Sequence, residues 1–153
     1  MKRLAVVRIR GTVGVRGKIA DTLKMLNLEK VSTCVVIDDR DSYTGMLQKA
    51  KDYITFGEID AETLKKLILK WGRLPGGERI TEAYVTELTG LSVDDFVASV
   101  LNFEHELSEL GIKGVFRLHP PRGGYEDIRK GYGQGGSLGN RGTDMVAFIE
   151  KMM

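Results

Sequence analysis

The chain of 153 residues has little of what small proteins use for chemistry: one cysteine, two histidines and one tryptophan. A lone Cys34 excludes an intrachain disulfide framework, and its apolar neighbours mark a buried thiol rather than a nucleophile. Two histidines, His105 and His119, with one cysteine do not supply a zinc ligand set, and they leave few partners for a catalytic base. Apolar runs are only a few residues long, such as Cys34 to Ile37, against the ~20 residues that span a bilayer. The basic N-terminus breaks its apolar run at Arg8 and so lacks the core of a signal peptide. A cytoplasmic protein without membrane contact is expected. With 42% hydrophobic residues the chain still has material for an ordinary core, so global disorder is excluded too.

What is there is unevenly placed. The net charge is +2, yet residues 1–58 carry 11 Lys/Arg against 7 Asp/Glu, and residues 59–116 carry 6 against 10. Residues 117–153 return to 6 against 4. The first eighteen residues hold Lys2, Arg3, Arg8, Arg10, Arg16 and Lys18 with no acid. One-sided clustering of this kind is the footprint of phosphate contacts, although a basic edge that discourages strand aggregation would look similar.

Alternation over Leu4 to Arg10 predicts a strand, with Ala5, Val7 and Ile9 on one face and Arg8 and Arg10 on the other. Ile19, Leu23 and Leu26 recur at helical spacing, so residues 18–28 should form an amphipathic helix. The β-branched run from Ser32 to Ile37 predicts a buried strand. Met46, Leu47, Ala50 and Ile54 line a second helix that runs into a strand at 54–59. The first sixty residues therefore read β-α-β-α-β. The middle is helical, with Asp60, Thr81 and Ser92 as caps, Gly72 closing the first helix and Gly111 the last. Residues 115–118 form a short strand, and a closing helix begins near Thr143. Two parts follow: a core at 1–59, and an extension at 60–153 that carries a basic glycine-rich loop at 122–142 and the last helix.

Two segments suggest binding. The loop at 11–18 joins a strand to a helix, where backbone N–H groups can meet phosphate. It matches neither G-x-G-x-x-G nor the P-loop, because Gly17 and Lys18 are followed by Ile19. A flexible turn would not explain why every nearby charge is positive; contact with an RNA backbone would. The segment 122–142 holds eight glycines together with Arg122, Tyr125, Arg129, Lys130, Tyr132 and Arg141. Arginine supplies phosphate contacts, tyrosine stacks on bases and glycine allows close approach, so order gained on RNA fits better than a plain linker. Asp38, Asp39 and Asp41 at a strand end could hold Mg²⁺ or cap the next helix, and capping is the simpler reading. Glu104, His105, Glu106 and Glu109 form a solvated helix face. The RNA-binding candidates are Arg3, Arg8, Arg10, Arg16, Lys18, Arg40, Arg122, Tyr125, Arg129, Lys130, Tyr132 and Arg141, and no cofactor, metal or small-molecule substrate is implied.

Several of these stretches together resemble the ribosomal protein L-thirty family, whose eukaryotic members are called L-seven. The resemblance runs from Val6, Val7, Arg8, Ile9, Arg10 and Gly11, through Lys18 to Leu23 and Tyr43 to Met46, to Tyr53, Ile54, Thr55, Phe56 and Gly57. Phe116 to Gly124 and Gly136 to Arg141 are similar to the longer archaeal and eukaryotic form, without the basic N-terminal extension of eukaryotic members. The resemblance implies an α+β fold: a two-layer, ferredoxin-like core with a three-stranded antiparallel sheet, and a mainly helical extension. It also implies a non-catalytic role on large-subunit rRNA near the 5S RNA, among neighbouring ribosomal proteins. Acylphosphatases share a glycine-rich loop after a first strand, but this loop lacks their glutamine and spacing. A free-standing RNA-binding regulator would use the same basic loops.

Overall fold

The computed structural model describes residues 2–11, 13–112 and 114–153. The chain divides into two compact units, one formed by residues 1–59 and 117–153, the other by 60–116. Residues 117–153, grouped above with the helical extension, thus belong with the first sixty.

The first unit is built on β1 (Arg3–Arg8), α1 (Gly17–Met25), β2 (Thr33–Asp38), α2 (Asp41–Ala50) and β3 (Ile54–Glu58). β1 pairs antiparallel with both β2 and β3, so Val7 lies opposite Cys34 on one side and Thr55 on the other. The sheet is larger than the expected three strands. β4 (Phe116–Arg117), β5 (Asp127–Gly131) and β6 (Gly136–Asn140) extend it in the order β4-β2-β1-β3-β6-β5. β6 runs parallel to β3, with Thr55 opposite Gly139, and β5 runs parallel to β6. About half of the expected loop at 122–142 is therefore strand, in β5 and β6. Its main-chain groups find partners in the ladder, which the absence of apolar alternation concealed.

Both faces of the sheet are covered at β1, where the chain is buried from Ala5 through Ile9 just beyond the strand. On the face of Thr55 and Gly57, the C-terminal segment crosses β3 so closely that a Cβ on Gly57 would sit 2.4 Å from the Gly142 carbonyl oxygen. That crossing leads into α6 (Met145–Met152), whose Met145, Phe148, Ile149 and Met152 are buried. Thr143 lies in a 3₁₀ turn before α6 and is not its cap. The opposite face, carrying Arg8, meets the chain as it leaves α1 at Leu28 and Glu29.

The second unit has a core of its own, including Leu64, Leu67, Ile68, Val85, Phe96, Val97 and Leu110. Its caps form as the sequence suggests. The Asp60 carboxylate accepts from the Thr63 N–H, Thr81 Oγ1 from Tyr84 and Ser92 Oγ from Asp95. They start α3 (Ala61–Lys66), α4 (Glu82–Thr89) and α5 (Val93–Leu101). α3 continues into a π-helical turn at Leu67–Trp71. Gly72 closes the helix as expected, but at an ordinary φ of −64° rather than the left-handed one common there; it is needed because a Cβ would meet the Ile68 carbonyl oxygen at 2.4 Å. α5 ends ten residues before Gly111, because Phe103 turns left-handed at φ 63°. His105 consequently lies outside a helix, with its Nδ1 2.7 Å from the Glu109 carboxylate.

Candidate nucleic-acid interface

The twelve candidate side chains divide into three groups by what their neighbours leave available. Arg8 is the most enclosed, at 3% exposure. Its Nη1 donates to the Leu28 carbonyl at 2.7 Å and the Glu29 carbonyl at 3.2 Å. Its Nε donates to the Arg10 carbonyl at 2.9 Å and its Nη2 to the Gly11 carbonyl at 3.2 Å. Burial pulls its basicity below the usual arginine value. The guanidinium thus clasps the start of the 11–16 loop to the segment that follows α1, with all three of its nitrogens donating to main-chain carbonyls. Arg8 lies on the face opposite Ala5 and Val7, as the alternation predicts, and that face is covered there.

Arg3 and Arg40 lie at the other end of the sheet. Arg3 is 7% exposed and pairs in register with Asp38. The exposed Arg40 grips the Asp38 carboxylate through Nε at 2.8 Å and Nη2 at 2.5 Å, which holds that carboxyl below its ordinary range. A carboxylate so close compensates the positive charge. Asp38 therefore serves as an arginine anchor, and among the described residues no cluster of acids, histidines or cysteine could hold a metal.

Arg10, Arg16, Lys18, Arg129 and Lys130 are less enclosed. Arg10, half-buried, lies 5.2 Å from the Tyr53 ring centroid and reaches the Asp52 carbonyl. Arg16 and Lys18 are exposed. Among the described residues neither side chain, nor that of Lys130, makes a hydrogen bond or an ion pair. Val13, at the tip of the same loop, is 97% exposed, while Thr12 lies outside the described residues. Register brings β5 toward Arg10. Gly139 is opposite Thr55, so Gly136 and its partner Asp127 lie beyond the start of β3, at the end where the Tyr53 carbonyl accepts from Ile9 and Arg10. Arg129 and Lys130 follow on this edge strand, both exposed. Arg129 is held by Asp127, whose carboxylate accepts the Arg129 backbone N–H at 2.8 Å and lies 3.4 Å from its Nε.

The last group surrounds the start of α6. Arg141 Nε donates to Thr55 Oγ1 at 2.8 Å and Nη2 to the Ser137 carbonyl at 3.0 Å. Its guanidinium carbon lies 4.1 Å from the Phe148 centroid and 4.8 Å from that of Tyr132. Burial lowers its basicity, partly offset by Tyr132, Glu126 and Asp144. The Tyr132 hydroxyl donates to the Asp144 carboxylate at 2.6 Å, which keeps the phenol protonated beyond its ordinary range. Tyr125 is tied by its hydroxyl to Ser32 Oγ at 2.9 Å, so it braces the fold. Arg122 is exposed, and its backbone N–H is bound by the Lys151 carbonyl. Sequence reasoning missed Lys151, Phe148, Glu126 and Asp144 near these groups. Helical spacing placed the first two on α6, but nothing in the pattern tied them to Tyr132 and Arg141.

Comparison with known proteins identifies the family of the chain. A family model described as Ribosomal protein L30p/L7e matches residues 4–54, the segment from β1 to the start of β3. The large ribosomal subunit protein uL30 of Methanococcus maripaludis (strain C5) is 54% identical over 151 residues, covering 97% of this chain and 98% of that protein. Its counterparts in Methanobrevibacter smithii and Methanopyrus kandleri are 50% and 49% identical over 149 residues, with 97% and 95% of this chain covered. With identity at this level over nearly the full length of both partners, the chain belongs to the uL30 family of large ribosomal subunit proteins.

Proposed function

We infer that this chain is a structural constituent of the large ribosomal subunit, without catalytic activity, and that it supports subunit assembly and translation by holding rRNA. The observation that carries this reading is that three of the twelve candidates are exposed and, among the described residues, make no side-chain hydrogen bond or ion pair: Arg16 and Lys18 beside the glycine-rich loop, and Lys130 on edge strand β5. Arg10, Arg122 and Arg129 accompany them, whereas Arg3, Arg8 and Arg40 are spent on the protein itself. Phosphate contacts of this kind give affinity and position; sequence is read where RNA is irregular or single-stranded. The acidic second unit, at 6 Lys/Arg against 10 Asp/Glu, would be repelled by phosphate and suits contact with neighbouring ribosomal proteins or solvent. A position near the 5S RNA and a cytoplasmic location follow from the same reading. Among the described residues, no helix is long and apolar enough to cross a membrane.

The test is the salt dependence of binding to large-subunit rRNA. Deleting one cation that meets a phosphate should reduce the slope of log K against log salt by roughly 0.7–0.9. Replacing Arg16, Lys18 and Lys130 together with alanine should therefore lower it by roughly 2–3. An unchanged slope would remove these residues from the interface.

A further inference from the structure

Beside the start of α6 lies an open cavity of about 360 Å³, lined by Glu126, Tyr132, Arg141, Asp144, Phe148 and Lys151 among others. We propose that it receives an unpaired guanine base of RNA, a reading that rests on the RNA-binding function above. The volume is near the low end of ligand pockets, roughly 300–1,000 Å³, which suits a base rather than a larger ligand.

The lining is flat, fixed and acceptor-rich. Arg141 cannot swing, because Thr55 and Ser137 hold its Nε and Nη2 while the Phe148 and Tyr132 rings approach it at 4.1 and 4.8 Å. Aromatic rings are surfaces on which splayed RNA bases stack, and Tyr132, at 38% exposure, offers one here, held in place by Arg141. The two carboxylates then decide what can enter. Glu126 and Asp144 are acceptor-only groups, and Asp144 receives a single proton from Tyr132, so it retains lone pairs. They offset the charges of Arg141 and Lys151, which makes the cavity a poor site for a bare phosphate. Guanine alone among the bases offers two adjacent donors, N1–H and the N2 amino group, to one carboxylate. Adenine and cytosine place a ring acceptor beside their amino group, and uracil flanks its N–H with two carbonyls.

The full chain should be titrated with GMP, AMP, CMP, UMP and inorganic phosphate while the ring resonances of Tyr132 and Phe148 are followed by NMR. GMP should shift both, at least roughly fivefold more tightly than the other nucleotides, the low end of discrimination by a paired hydrogen bond. Asp144→Asn should erase that preference while leaving the remaining spectrum folded, and Glu126→Gln provides a second variant should Asp144→Asn unfold. Protein already bound to large-subunit rRNA should no longer respond to GMP, because an RNA base fills the cavity. A GMP response that persists in the complex would make the site one for free nucleotide and overturn the RNA assignment. Equal shifts with phosphate alone would make it an anion site and overturn the base. Silence toward GMP by a protein that still binds rRNA would sink the cavity proposal and leave the RNA reading intact. Silence together with absent rRNA binding would take down both.

Discussion

Replacing Arg8 with methionine separates a residue that contacts RNA from one that holds the RNA-contacting loop in place. Methionine keeps much of the buried stem and removes the four hydrogen bonds that the guanidinium donates. Hydrogen bonds to a charged donor contribute ~1.5–3 kcal/mol each, so the gross loss is large. Much of it cancels, because the guanidinium no longer has to leave water, a cost of several kcal/mol for a buried ion. The carbonyls of Glu29 and Gly11 belong to exposed residues and can recover water. Leu28 is fully buried, and its carbonyl, at 2.7 Å from Nη1, loses its guanidinium donor with little access to water. An orphaned carbonyl of that kind costs ~1–3 kcal/mol, and loosening of the clasp adds to it, for a net loss of about 2–3 kcal/mol. For a chain of this length that is a fall in Tm of roughly 4–12 °C.

Thermal unfolding and rRNA binding should be measured on the same variant. A lower Tm is expected, with weaker binding but an unchanged salt slope, because no phosphate contact has been deleted. A variant with the wild-type Tm and a slope lower by roughly 0.7–0.9 would show that Arg8 meets phosphate itself, and the clasp would be refuted.

Two further perturbations test the packing around β3 and β2. Gly57→Ala places a methyl 2.4 Å from the Gly142 carbonyl oxygen and 2.6 Å from Met145 Cβ, so the crossing must open. Overpacking of this sort costs about 1–3 kcal/mol, and loss of hydrogen-exchange protection in β6 and α6 should accompany the drop in stability; an equally stable variant would show the approach to be looser than described. Burial pushes the Cys34 thiol up to about 12, so iodoacetamide should label it only as the chain unfolds, and rapid labelling of native protein would contradict that burial. The same shift makes stability independent of this group below the ordinary thiol range. Stability is lost as pH rises from about 9 toward 12, since the unfolded chain ionises first.

Much of the fold was legible wherever side chains carry the pattern. The alternation in β1, the β-branched run of β2 and the caps at Asp60, Thr81 and Ser92 each state a local preference that the structure keeps. The misreadings share one cause: interactions made by the main chain. β5 and β6 have almost no apolar alternation, because their order comes from pairing of β6 with β3 and of β5 with β6, and from glycines that admit close approach. Gly136 is one, where a Cβ would run into the Lys130 backbone. Gly72 was placed correctly for the wrong reason, and α5 was read too long because no propensity signals the left-handed turn at Phe103. The candidate site divides in the same way. Charge clustering located Arg16, Lys18, Arg129 and Lys130, but it could not distinguish them from Arg8, whose partners are carbonyls, two of them distant in sequence.

That distinction bears on why so modest a net charge can serve an RNA-bound protein. A buried arginine satisfied by carbonyls adds little to the external field available for phosphate, yet it shapes the loop that carries cations which do. Arg8 and Arg141 both act this way, one closing the base of the 11–16 loop, the other tying β6 to Thr55 beside the α6 cavity. Lys2, held by Glu58 at 2.6 Å, and Arg40, held by Asp38, are likewise compensated. Compensated cations of this kind add little to the outward field, so the effect of the basic residues depends on placement as well as number. Substituting a clasp should alter affinity through geometry, with the salt slope preserved; substituting an outward cation should alter the slope, with stability preserved. These two signatures divide the basic residues of this chain more sharply than exposure alone.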